Sequence, residues 1–174
     1  STSGIATAGA HQTIYGGSST DAFLVKFNSS GVIQWGTYYG GEGVDIGYSC
    51  ATDASGNVYM AGDAQQQNLP ASGISTIGAH QSAYGGGYSD GFLVKFDSNG
   101  LRQWGTYYGG SLLDVSFSCA TDASGNVYMS GETQSPNGIA TSGAHQTTVD
   151  GAFLVSFNSS GVRQSGTYYG GIKN

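Results

Sequence analysis

An all-β fold assembled from a repeated four-stranded unit is what this sequence predicts, on three observations. The string GTYYGG occurs at 36–41, 105–110 and 166–171. CATDASGNVYM occurs at 50–60 and 119–129, GAHQ at 9–12, 78–81 and 143–146, and FLVKF at 23–27 and 92–96, returning as FLVSF at 153–157. No segment offers a 3.6-residue apolar period, while 31 Gly stand against only two Pro. That composition suits tight turns between short strands, because Gly supplies the positive-φ positions that hairpins need.

Four strand signals follow one another in each repeat. In the middle copy the first is a small-residue strand over Ser49–Thr52. The segment DASGN at 53–57 then predicts a type I turn closed by a Gly bulge, leading into Val58–Met60. After a long loop comes the third strand, Phe92–Phe96, with Phe92, Val94 and Phe96 on one face and Leu93 on the other. DSNG at 97–100 makes a second turn of the same kind, and Leu101 to Tyr108 is the fourth strand. Lys26 and Lys95 become Ser156 in the third copy, which predicts a position that reaches water.

Four antiparallel strands per repeat indicate the blades of a β-propeller. A blade has two apolar faces and buries them only by stacking on its neighbours. A β-solenoid is set aside, because its coils are shorter and lack paired hairpin turns. With the small-residue strand innermost, residues 1–41 give the outer two strands of an incomplete blade. Residues 42–110 form a complete blade, and 111–174 a second complete blade plus the start of the next repeat. Such an arc cannot close a ring of about four to eight blades. The chain also opens on Ser1 rather than Met. It is therefore expected to be an excised or processed part of a longer chain, partnered by the remaining repeats. The competing expectation is assembly with other copies of itself through unfinished sheet edges.

Charge narrows the function classes. Charged residues are 9% of the chain and the formal net charge is -6. The five basic residues are scattered, so nucleic acid, which needs clustered Lys and Arg, is not an expected partner. No apolar run approaches the roughly 20 residues of a spanning helix, no signal peptide is apparent, and no membrane insertion is expected. Cys50 and Cys119 occupy equivalent places in two blades, too far apart for a disulfide, and are expected to be free and buried.

The pattern FLVKF-x-S-x-G-x-x-x-WGTYYGG, SCATDASGNVYM and GAHQ resembles the SBBP (beta-propeller) repeat of bacterial extracellular proteins. The resemblance covers essentially the whole chain. It implies a secreted or cell-surface bacterial protein, sometimes carrying type IX sorting domains, and no catalytic residues. The third copy departs from the pattern, with Ser165 where Trp35 and Trp104 stand in the first two.

No enzyme chemistry is expected. His11, His80 and His145 are repeat-equivalent and lie in separate blades, so they do not assemble with a nucleophile and an acid. They are candidates for loop capping or ligand contact. No cofactor is expected; DASGN at 53–57 lacks the alternating carboxylates of a calcium loop, and Asx-turn bonding accounts for the recurring Asp residues. Asn28 and Asn158 match a glycosylation pattern, but turn chemistry explains them. The candidate ligand-binding aromatics are Tyr15, Tyr84 and Tyr88 in Gly-rich loops, with Trp35 and Trp104 as carbohydrate-stacking platforms or as packing on the next blade. The loop face bearing GAHQ and YGG is the preferred binding face. Two functions follow: a surface binding or adhesion module that meets carbohydrate or another cell-surface ligand, or a structural spacer or filament subunit.

Overall fold

The protein is seen in a computed structural model that describes residues 3–16, 20–65 and 73–171. The strands are β1 (Ala22–Phe27), β2 (Ile33–Tyr39), β3 (Val44–Thr52), β4 (Val58–Gln65), β5 (Asp90–Phe96), β6 (Arg102–Tyr108), β7 (Asp114–Thr121), β8 (Val127–Thr133), β9 (Gly151–Phe157) and β10 (Arg163–Tyr169). They form a two-stranded sheet β1-β2 and two four-stranded sheets, β3-β4-β5-β6 and β7-β8-β9-β10. Every pairing is antiparallel between strands consecutive in the chain. The fold is an all-β arc of propeller blades.

The turns have the expected chemistry. Asp53 N–H donates to Asn57 O, Gly56 N–H returns to Asp53 O, and Gly56 sits at φ +76°. The Asp53 carboxylate also accepts from the amides of Ser55 and Asn57. Asn28, Asp97, Asp122 and Asn158 repeat this bonding in their own turns.

The first strand of the blade is longer than expected. It begins at Val44, not Ser49, and its pairing with β4 shifts register between Gly47 and Ser49. The same irregularity recurs between Ser116 and Ser118. A bulge breaks the period-2 alternation, which hides the first half of the strand from pattern reading.

The core lies between blades. One cluster joins Leu24, Trp35 and Tyr39 of the two-stranded sheet to Val58, Met60, Phe92, Val94 and Phe96 of the next. A second joins Tyr59, Leu93 and Tyr108 to Val127, Met129, Phe153, Val155 and Phe157. Each full burial of a Phe side chain stabilises by roughly 1.5–3 kcal/mol. β5 is buried at every position because a sheet covers it on both sides. At the two ends of the arc the equivalent residues lie open: Phe23 and Phe27 in β1, and Leu154 and Tyr169 in the last sheet.

Candidate functional site

The seam between blades is where most of the singled-out residues meet. The Trp35 indole packs on the next blade: Nε1 donates to Ser98 O at 3.1 Å, and the ring lies 5.9 Å from Phe96. Trp104 repeats this on Ser159 O at 3.1 Å and Phe157 at 6.3 Å. A Cβ on Gly100 or Gly161 would come within 2.7 Å or 2.8 Å of the indole. A Gly turn of the next blade therefore packs against each ring; Trp35 is buried there, and Trp104 is half-buried.

The lysines belong to the same seam; Lys95 is buried there, which corrects for that copy the expectation of a position that reaches water, while Lys26 is half-buried. Lys26 Nζ donates to Gly56 O and Ser98 O, both at 3.1 Å. Lys95 is buried, donates to Ser159 O at 2.9 Å, and lies 5.3 Å from the centre of the Tyr59 ring. A charged group buried this way needs its hydrogen bond, and the backbone carbonyl supplies it. Lys26 and Trp35 are direct cross-strand partners, as are Lys95 and Trp104.

The GAHQ segments do not project from a loop face. They run along the outer edge of the fourth strand and bond to it, which corrects the placement of the preferred binding face. Thr7 N–H donates to Gly36 O and Tyr38 N–H to Gln12 O; Thr76, Gln81, Thr141 and Gln146 do the same on β6 and β10. The physical reason is the exposed edge: an unpaired outer strand is a template for aggregation, and this segment caps it. His11 stacks near Tyr39 and Phe96, and His80 near Tyr108 and Phe157, with centroids at 5.8–6.0 Å. Burial, then the nearby Arg102 or Arg163, lowers each of these imidazoles to about 4. His145 is exposed beside Tyr169.

Tyr15 and Tyr84 are half-buried, each edge-on to a strand tyrosine, Tyr38 at 6.2 Å and Tyr107 at 6.1 Å. Tyr88 is 51% exposed. Another pair went unnoticed in the sequence: Tyr48 and Phe117, on the innermost strands β3 and β7, meet edge-on with centroids 5.7 Å apart and both rings partly open.

Sequence reasoning also missed the buried carboxylates. Asp45, Asp90 and Asp114 are fully buried, and do not sit in Asx turns as expected. Asp45 Oδ2 accepts from Gly41 N–H and Asp114 Oδ2 from Gly110 N–H, both at 2.7 Å. Asp90 Oδ2 accepts from Gly85 N–H and from Gln81 Nε2, and the Gln81 Oε1 accepts from Gly109 N–H. Gln12 makes the same link from Asp21 to Gly40. The Gln of GAHQ thus ties the end of GTYYGG to the Asp before the third strand. Burial raises Asp45 and Asp90 to about 7. The Asp53 turn is closed on itself: Asn57 Nδ2 and the Tyr59 hydroxyl take its other oxygen.

Cys119 is buried against Ser49 of the preceding blade, whereas Cys50 is exposed. The expected burial of both fails at Cys50 because the two-stranded sheet lacks the inner strands that would cover it.

These seams, repeated in sequence and geometry, define a stack of propeller blades. Residues 34–70 match the family model of the SBBP beta-propeller repeat. The matched span runs across a seam, from β2 into β3 and β4. A search among curated proteins found none that matches.

Proposed function

We propose that the chain is a non-catalytic structural module, an arc of blades whose work is to stack and to present its outer surface in a secreted or cell-surface assembly. The supporting observation is the repeated seam. Its two sides are complementary and nearly identical at both junctions, while an apolar face stands open at each end. Phe23 and Phe27 mark one. Phe117, Leu154 and Tyr169 line an apolar depression of about 630 Å³ on the other. Apolar patches of this kind mark contact surfaces.

The reading as a carbohydrate-binding module keeps one favourable observation, the exposed Tyr88 ring in a Gly-rich loop. A glycan array separates the two. The structural reading expects no reproducible hit; hits that vanish in Tyr88→Ala overturn it. Electron microscopy of the native source is expected to show the chain within ordered arrays.

A further inference from the structure

We infer that the Lys–Trp pair is the element by which one blade recognises the next, and that Ser156 and Ser165 silence it on the third blade. The open turn at 28–31 is then a receptor for a blade that bears the pair, and not for a second copy of this chain's own third blade. The inference rests on the structural reading above.

The pair acts as a two-donor clamp. At the first seam Lys26 Nζ and Trp35 Nε1 both donate to Ser98 O. At the second, Lys95 Nζ and Trp104 Nε1 both donate to Ser159 O. One donor is a cation, so that bond is charge-assisted. Beside the carbonyl the indole needs a turn residue with no side chain, and finds Gly100 or Gly161. The receptor is therefore a Ser carbonyl two residues ahead of a positive-φ Gly.

A third receptor of the same form exists. Asn28 to Gly31 makes the same turn, with Gly31 at φ +76° and nothing within 4 Å of its Cβ position. The third blade should be the donor if copies joined head to tail. It carries Ser156 opposite Ser165 at the clamp positions. Their hydroxyls bond each other at 2.8 Å. Both halves of the clamp are replaced together, so neither is left as an orphaned polar group. Docked on a 28–31 turn, this face would leave the Ser29 carbonyl without either donor and a void where the indole belongs. Both are unfavourable.

Sedimentation velocity of the full chain tests this across a range of concentrations. Ser156→Lys with Ser165→Trp is expected to associate at least about tenfold more tightly than wild type. Adding Phe27→Asp, on the receptor face, is expected to reverse the gain. A double variant no more associated than wild type overturns the inference. So does a wild-type chain that already associates through Phe27. If the double variant does not fold, the converse change serves. Lys95→Ser with Trp104→Ser in the full chain is expected to raise amide exchange in the 158–161 turn about tenfold; unchanged exchange overturns the inference. A glycan hit lost in Tyr88→Ala would instead overturn the structural reading and leave these outcomes unaffected.

Discussion

The Tyr39 hydroxyl donates to the Ile74 carbonyl oxygen at 2.6 Å, tying the end of GTYYGG to the buried residue that starts the next blade's outer segment. Tyr108 repeats the bond on Ile139 at 2.8 Å. The two sites differ in one respect. Ile139 O also accepts from Arg163 Nη1 at 3.3 Å, whereas Arg102 Nη1 reaches Gly73 O instead. Tyr39→Phe should therefore cost more than Tyr108→Phe, about 1–3 kcal/mol against about 1 kcal/mol or less. Urea denaturation of the two variants measures the order.

The clamp turns offer a cleaner comparison. Gly31, Gly100 and Gly161 all have φ near +80°, between +76° and +84°. A Cβ at Gly31 meets nothing, while at Gly100 and Gly161 it meets an indole. Gly31→Ala should cost only the backbone strain, about 1 kcal/mol. Gly100→Ala and Gly161→Ala should each cost clearly more, because the indole must move. Trp fluorescence should shift in the latter two and stay unchanged in Gly31→Ala. Equal costs at all three sites would show that the indole contact is not tight.

Much of this was legible in the repeats. FLVKF with apolar residues on both faces required a blade covered on both sides, and β5 is that strand. DASGN and DSNG specified their turns by residue type alone. The misreadings have physical causes. Lys26 and Lys95 look solvent-seeking because Ser156 replaces them in the third copy and cations are usually exposed, and no local pattern shows a carbonyl arriving from a residue 72 or 64 positions away. A signal for the clamp was nevertheless present: the copy that replaces Lys by Ser156 also replaces Trp by Ser165. The buried Asp residues gave no such signal, since Asp before a strand reads equally well as a turn.

The cysteines should differ sharply in reactivity. Cys50 is exposed, while Cys119 is buried with its thiol pushed up by desolvation. Thiolate is the reactive form. Brief alkylation of the folded chain near neutral pH should therefore label Cys50 alone, and both thiols should react after unfolding. Peptide mass spectrometry reads the outcome directly. Labelling of Cys119 at the rate of Cys50 would mean that the seam at Ser49 opens readily.

Two sets of buried groups should give the stability opposing pH dependences. Asp45 and Asp90, raised from 3.8 to about 7, bind protons in the folded state that the unfolded chain releases. Their contribution is fully present below about pH 4 and is lost as pH rises through about 7. His11 and His80, lowered from 6.5 to about 4, work the other way. Their contribution is present above about pH 6.5 and is lost as pH falls through about 4. Burial also raises Asp63 and Asp114, so the raised carboxyls outnumber the two lowered histidines and the wild-type melting temperature should fall as pH rises across the shared window. Asp90→Asn removes one raised carboxyl while keeping an oxygen for the Gly85 amide. Its melting temperature should then fall less steeply than wild type from pH 4.5 to 6.5, because one carboxyl opposing the histidines is gone. His80→Phe should show the reverse, a steeper fall than wild type over the same range, with the ring still packed on Tyr108 and Phe157. Calorimetry of the two variants against wild type checks both slopes. A wild-type curve that climbs steeply over this window would mean that the Asp45 and Asp90 carboxyls are ionised in their buried sites.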